Sequence, residues 1–146
     1  MTLRIEAIQY SEAAFASILA EAERADGAFM LRVRDEWVSG AQRFDRPGEF
    51  LLGVFDGERL VAVGGVSNDP YSAEPGLGRV RHVYVLEALR RRGIARMLMN
   101  EIIARARGHF TLLRLRTRSA AAAALYENLG FVRVDGNDET HRLTLR

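Results

Sequence analysis

Residues 80–107 constrain this chain more than any other stretch. An apolar, β-prone run with Val80, Val83, Tyr84 and Val85 leads into Arg90-Arg91-Arg92-Gly93. Ile94, Met97, Leu98, Ile102, Ile103 and Ala106 then recur at helical spacing. Strand, basic glycine turn and helix in that order predict an anion cradle. The N–H groups that open a helix lack an intrahelical acceptor and carry the positive end of its dipole. Gly93 has no Cβ, so its φ is free and a ligand can approach the main chain closely. The arginines offer bidentate donors to phosphate oxygens.

The other elements fall into place around this unit. Residues 3–8 alternate as a short strand. Ser11 reads as the N-cap of a helix with Ala14, Phe15, Ile18, Leu19 and Ala22 on its apolar side, ended by Asp26-Gly27. A second helix is predicted over 29–44, with Met30, Val33, Trp37 and Ala41 on one face and Gly40 in its interior. Strands over 49–55 and 59–67 form a hairpin about Asp56-Gly57, and the Gly64-Gly65 pair predicts a bulge or a close backbone approach. Residues 68–78 form a loop, the central strand runs over 79–86, and its helix over 93–107 stops at Gly108. The strand over 111–117 turns Leu113 and Leu115 one way and Arg114 and Arg116 the other, as a solvated sheet face would. Ser119 caps a helix over 120–129 that ends at Gly130, and strands over 131–134 and 141–145 close the chain. The order β-α-α-β-β-β-α-β-α-β-β means an α/β (α+β) fold with a mixed sheet, and 146 residues suit one domain spanning 1–146.

Composition removes several chemistries. There is no cysteine, hence no disulfide, no thiolate nucleophile and no zinc–thiolate site, and all 21 basic residues are arginine, hence no Schiff-base lysine and no GxxxxGK[ST] phosphate loop. No apolar run approaches a membrane span, and the N-terminus lacks a signal-peptide layout, so the cytoplasm is the expected compartment. Charge is uneven. Residues 1–75 hold 13 acids and 7 arginines, and residues 76–146 hold 6 acids and 14 arginines. A basic half suits a polyanionic ligand, and the acidic half suggests a cationic amine as a second ligand. His109 and His141 stand alone, and no metal-ligand spacing is present.

At the Arg-rich turn the chain resembles the GNAT superfamily of acyl-CoA-dependent N-acetyltransferases. That family's [Q/R]-x-x-G-x-[G/A] motif is matched by Arg90-x-x-Gly93-x-Ala95 after the strand Val83-Tyr84-Val85. Its L-Y-x-x-x-G-F helix end is matched by Leu125-Tyr126-Glu127-Asn128-Leu129-Gly130-Phe131. The resemblance covers residues 80–131 closely and the N-terminal part in layout only. It implies a sheet of about six to seven strands with a splayed central strand, and about four helices. It also implies that acetyl-CoA is the co-substrate, without a metal. The pantetheine arm would pair with the backbone of Val83, Tyr84 and Val85. The pyrophosphate would lie on the turn formed by Arg90, Arg91, Arg92, Gly93, Ile94, Ala95 and Arg96. Tyr126 would be the general acid toward the departing thiolate.

Two positions depart from the family pattern. The glutamate that some members carry six residues ahead of the last strand valine is replaced by Arg79, which leaves as candidate bases His82, and Glu74 and Asp69 acting through a water, unless the amine arrives already neutral. The asparagine seven residues before the tyrosine is replaced by Ser119, a candidate for contact with the CoA arm as well as a helix cap. The expected activity is acetyl transfer to a primary amine of a small molecule or peptide, by direct attack on the thioester, in a monomer or homodimer. Two other readings stand beside it. One is an acyl-CoA sensor that kept the cradle without the chemistry. The other is a nucleic-acid binder using the 11 arginines between residues 79 and 118, which no recognisable binding motif supports.

Overall fold

The computed structural model describes residues 2–24 and 28–145. Among these residues seven strands form one mixed sheet in the order β1-β2-β3-β4-β5-β7-β6, and four helices cover it. The strands are β1 (Leu3–Ala7), β2 (Phe50–Asp56), β3 (Arg59–Asn68), β4 (Leu77–Val85), β5 (Leu112–Leu115), β6 (Val132–Arg133) and β7 (His141–Thr144). The helices are α1 (Glu12–Arg24), α2 (Leu31–Ser39), α3 (Ile94–Ala106) and α4 (Ala120–Asn128). The expected element order is the observed one.

Helix ends follow local chemistry. Ser11 Oγ accepts from the N–H of Ala14 at 3.1 Å, and Ser119 Oγ from that of Ala122 at 3.1 Å, each taking up an otherwise orphaned donor. Asp26 and Gly27, expected to end α1, lie outside the described residues. The prediction for α2 was too long. A 3-10 turn (Ala28–Met30) precedes it, and Gly40 ends it at φ 83°, donating its N–H to the Trp37 carbonyl at 3.2 Å. Gly40 is a left-handed terminator rather than an interior residue. On the expected stripes, Phe15, Ile18, Leu19 and Ala22 are buried but Ala14 is exposed. On α3 it is Met99, not Met97, that is fully buried beside Leu98 and Ile102.

The glycine pair in β3 sets the thickness of both layers. A Cβ at Gly64 would come within 3.2 Å of Leu98 and 3.1 Å of Ile102, so α3 lies directly on that face. A Cβ at Gly65 would meet the Phe50 carbonyl at 2.7 Å and the Phe44 ring at 2.9 Å on the other face. The expected bulge is present too, since the β3–β4 register shifts between Val63 and Gly65.

The sheet forks at its centre. β4 and β5 run parallel but pair only over Leu77–Arg79 and Leu112–Arg114. Beyond Arg79, β4 continues to Val85 on β3 alone, while β5 stays with β7. Within that unpaired stretch His82 adopts φ 58°, a left-handed conformation that breaks the pleat, and the partner residue jumps from Gly65 opposite Arg81 to Val63 opposite Tyr84. Among the described residues no helix is long and apolar enough to cross a membrane.

Candidate functional site

The basic turn lies where β4 gives way to α3. Arg91 at φ 66° and Gly93 at φ 80° are both left-handed, and the first helical bond runs from the Met97 N–H to the Gly93 carbonyl at 3.0 Å. Among the described residues, the N–H groups of Arg91, Arg92, Gly93, Ile94, Ala95 and Arg96 donate no hydrogen bond within the protein. A Cβ at Gly93 would find no atom within 4 Å, so the concavity is open. Consecutive free donors, left-handed residues and a helix start together make an anion-binding nest.

The arginine side chains divide into two kinds. Arg90 turns back on the fold. Its Nε donates to the Val85 carbonyl at 2.9 Å, and its guanidinium lies 5.2 Å from the centre of the Tyr84 ring. The Tyr84 hydroxyl donates to Glu21 at 2.6 Å, which also accepts the Glu87 N–H at 2.7 Å. Burial and then this carboxylate push the Tyr84 hydroxyl up to about 12. The end of β4 is thus fastened to α1. Arg96 reaches Asn128 of α4 at 2.7 Å. Arg91 and Arg92 are exposed and have no ion pair among the described residues. Of the Arg90-Arg91-Arg92 triplet, the middle and last side chains are therefore free for a ligand, and the first is committed to holding the strand.

Halfway along β4, Arg81 and His82 both reach Glu36 of α2. Arg81 Nη2 donates to its two oxygens at 3.1 and 3.3 Å, and His82 Nε2 lies 3.4 Å from Oε1. Consecutive residues of a regular strand point to opposite faces. The left-handed turn at His82 is what brings both to one carboxylate. Burial holds His82 below its ordinary range, with the pull of Glu36 only partly opposing it, so the ring is neutral at neutral pH. The His82 ring and Arg81 together hold the Glu36 carboxyl below its ordinary range, against the effect of burial.

A cleft of about 220 Å³ opens at the fork, lined by Phe29, Arg32, Pro70, Tyr71, Arg79, Val80, Arg81, His82 and Arg116. Among the described residues no acid lines it, against the expectation that the acidic half presents its charge to a second ligand. Three carboxylates of that half are used inside the fold. Glu21 serves Tyr84, Glu36 serves Arg81, and Asp69 is buried. Glu74 is exposed on the β3–β4 loop and does not line the cleft, and Trp37 is half-buried against the Tyr10 ring, outside it.

Asp69 sits in a charge cluster. Its Oδ2 lies 3.2 Å from Arg114 and 3.9 Å from Arg79, and Arg114 also pairs with Glu139. Arg114 is thus no solvated residue. Its side chain is 13% exposed, locked between carboxylates from two loops, and so is unavailable to a nucleic-acid backbone.

Tyr126 lies on α4 with its ring centre 5.7 Å from Phe131 and 6.4 Å from His141. It is 7% exposed, and burial alone pushes its hydroxyl up to about 12. Among the described residues the hydroxyl makes no hydrogen bond within the protein, and Tyr126 is not a wall of the fork cleft. His141, which stands alone in the sequence, is buried with Nε2 2.8 Å from Glu127 and Nδ1 2.8 Å from Thr140. Ser119 caps α4 and lines a second cleft of about 220 Å³ with Thr117, Arg118, Ala123, Arg133 and His141. Among the described residues no group of three or more His, Asp or Glu could hold a metal ion. The partners Glu21 and Glu36 carried no local sequence signal, because each acts across a large separation, and Glu139 reaches Arg114 across the sheet although it also pairs with nearby Arg142.

A model of the acetyltransferase (GNAT) family matches residues 12–131. The N-alpha-acetyltransferase RimI of Mycobacterium tuberculosis is 34% identical over 106 residues, which are 68% of this chain and 64% of that relative, so the chain spans somewhat less than two thirds of its length. An acetyltransferase-class protein of Exiguobacterium sp. 255-15, solved by crystallography, superposes with a TM-score of 0.86 at 27% identity, over 99% of this chain and 94% of that one. The GNAT-family acetyltransferase of Streptococcus pneumoniae shares the fold, with a TM-score of 0.75 at 16% identity over 99% and 100%.

Proposed function

The chain belongs to the acetyltransferase (GNAT) family, and from that premise we propose that it transfers the acetyl group of acetyl-CoA to a primary amine. One observation carries the proposal. Six consecutive free N–H groups, with two left-handed residues among them, end an otherwise unpaired strand edge. The residues fit the co-substrate. The backbone of Arg91 to Arg96 and the side chains of Arg91 and Arg92 hold the pyrophosphate. The edge of Val83, Tyr84 and Val85, free of β5, takes the amide-bearing arm. Bound acetyl-CoA supplies the activated thioester.

His82 is the base in this reading. It lines the cleft, is neutral, and has a carboxylate behind it that stabilises the imidazolium formed on proton uptake. Tyr126 is the acid. A hydroxyl held at about 12 stays protonated at working pH and yields its proton only to a strong base such as a developing thiolate. Arg90 is a positioning residue. Ser119 caps α4, and the CoA contact expected of it is part of the proposal. In the balanced reaction the amine nitrogen bonds the acetyl carbon, the C–S bond breaks and the sulfur takes a proton.

The Mycobacterium tuberculosis relative makes a peptide N-terminus one candidate acceptor, alongside small amines. A cytoplasmic monomer or homodimer completes the proposal. Assaying free thiol over a panel of amines tests it. Amine-dependent release supports transfer, and acetyl-CoA binding without release on any amine favours a sensor.

A further inference from the structure

We propose that the acceptor is an amino-acid-sized primary amine bearing a carboxylate, seated in the fork cleft with that carboxylate between Arg32 and Arg116. This rests on the transferase reading and goes beyond it by naming the acceptor class. Among the described residues, four guanidinium groups line the cleft and no carboxylate does. Two of them are spoken for. Arg81 gives Nη2 to both oxygens of Glu36, and Arg79 gives Nη2 to the Asp138 carbonyl and sits near Asp69. The other two come from the two sides of the fork, Arg32 from α2 and Arg116 from just beyond β5. Both are exposed, and neither has an ion pair among the described residues. Arg79 adds an unmet donor. Its side chain is only 10% exposed, and its Nη1 is buried without a hydrogen-bond partner.

This charge distribution discriminates between acceptors. A polycation entering the cleft meets like charge on both sides, a repulsion that rejects it. An amine tethered to a carboxylate brings the missing counter-charge, and arginine matches a planar carboxylate in two-point geometry. The same positive surroundings lower the pKa of an incoming ammonium, so more of it arrives as the neutral nucleophile. Phe29 and Tyr71, exposed large apolar side chains at the rim, offer cover to the acceptor's carbon skeleton. A volume of about 220 Å³ suits a single amino acid better than a long chain.

The test uses acceptors paired as carboxylate and amide, with rates referred to the neutral amine because an α-amide also lowers the amine pKa. These are an α-amino acid and its α-amide, and, to separate a free amino acid from an acidic peptide end, an Ala-Asp amide and an Ala-Asn amide. Acceptor kcat/KM is measured for the wild type and for the Arg32→Gln/Arg116→Gln double variant. Calorimetric titration of each acceptor is run in the presence of CoA. The expected result is a preference of about tenfold or more for the carboxylate member of a pair, the scale of charge-assisted hydrogen bonding. That ratio collapses toward one in the double variant, whereas a merely structural role would lower both members alike. Equal kcat/KM within both pairs, an unchanged ratio in the double variant, or no binding heat from any acceptor overturns the proposal. Carboxylate-selective binding that the double variant loses, without acetylation of any amine, keeps the ligand class and rejects the transferase reading.

Discussion

His82 Nε2 stands 3.4 Å from Oε1 of Glu36, so a left-handed residue in the middle of β4 faces a carboxylate on α2. Burial holds the histidine below its ordinary value, about 6.5. The acceptor kcat/KM should therefore hold level from neutrality downward and fall only below that value. His82→Asn should lower it by roughly 10² and remove the acid limb. An unchanged limb in His82→Asn assigns the base elsewhere.

The same shift makes a stability prediction. His82 is depressed in the folded state, so the unfolded chain takes up its proton first. Stability is full above the unfolded value and declines as pH falls below it. Glu36 is depressed too, so its contribution is present above its unfolded value and is lost at lower pH. The denaturation midpoint should fall between neutrality and about pH 5, and that first decline should be weaker in His82→Asn.

Tyr126→Phe should lower kcat by about 10²-fold and leave acetyl-CoA binding by calorimetry unchanged, because the ring and its packing on Phe131 remain. The hydroxyl lies at about 12, above its unfolded value, so its contribution to stability is present below roughly pH 10 and is lost as pH rises toward 12. No alkaline limb in the rate below about pH 10 should come from this residue.

Gly93→Val places a Cβ on a residue at φ 80° at the mouth of the nest, where nothing within 4 Å obstructs it. Strain in the left-handed region costs about 1–2 kcal/mol, read as a lower denaturation midpoint. Acetyl-CoA affinity should weaken about tenfold or more through lost close approach. Arg90→Gln separates the two roles of the turn. It should lower stability by about 1 kcal/mol, as a part-buried charged hydrogen bond lost from the Val85 carbonyl, with a smaller effect on cofactor affinity.

Arg114→Met leaves Asp69 and Glu139 buried without their shared partner. Removing one member of a buried ion pair typically costs about 3–5 kcal/mol, and urea denaturation should show a loss of that order. A loss within about 0.5 kcal/mol would return Arg114 to the solvated face that alternation suggested.

What could be read from the sequence was local. Strand, turn and helix periodicities, the Ser11 and Ser119 caps, the Gly64-Gly65 bulge and the open Gly93 turn depend on neighbours a few residues away, and they are where expected apart from α2, which stops at Gly40, and the stripe positions Ala14 and Met97. The fork in the sheet came only from the family resemblance, because pairing between β4 and β5 is set by residues more than thirty positions apart. Charge was the least legible. Counting acids in the first half suggested a cationic acceptor, but Glu21, Glu36 and Asp69 are turned inward onto Tyr84, Arg81 and Arg114, and among the described residues the charged groups lining the cleft are arginines. Alternation placed Arg114 on a solvated face, since the loops bearing Asp69 and Glu139 that cover it are invisible to strand periodicity.

The most direct measurement of the central claim is free CoA thiol released from acetyl-CoA at saturating amine, in wild type and in Tyr126→Phe, with binding of acetyl-CoA followed in parallel. The account predicts binding by both proteins, amine-dependent thiol release by the wild type, and release about 10²-fold slower in the variant. Acetyl-CoA bound by both proteins with no amine-dependent release from either would contradict it.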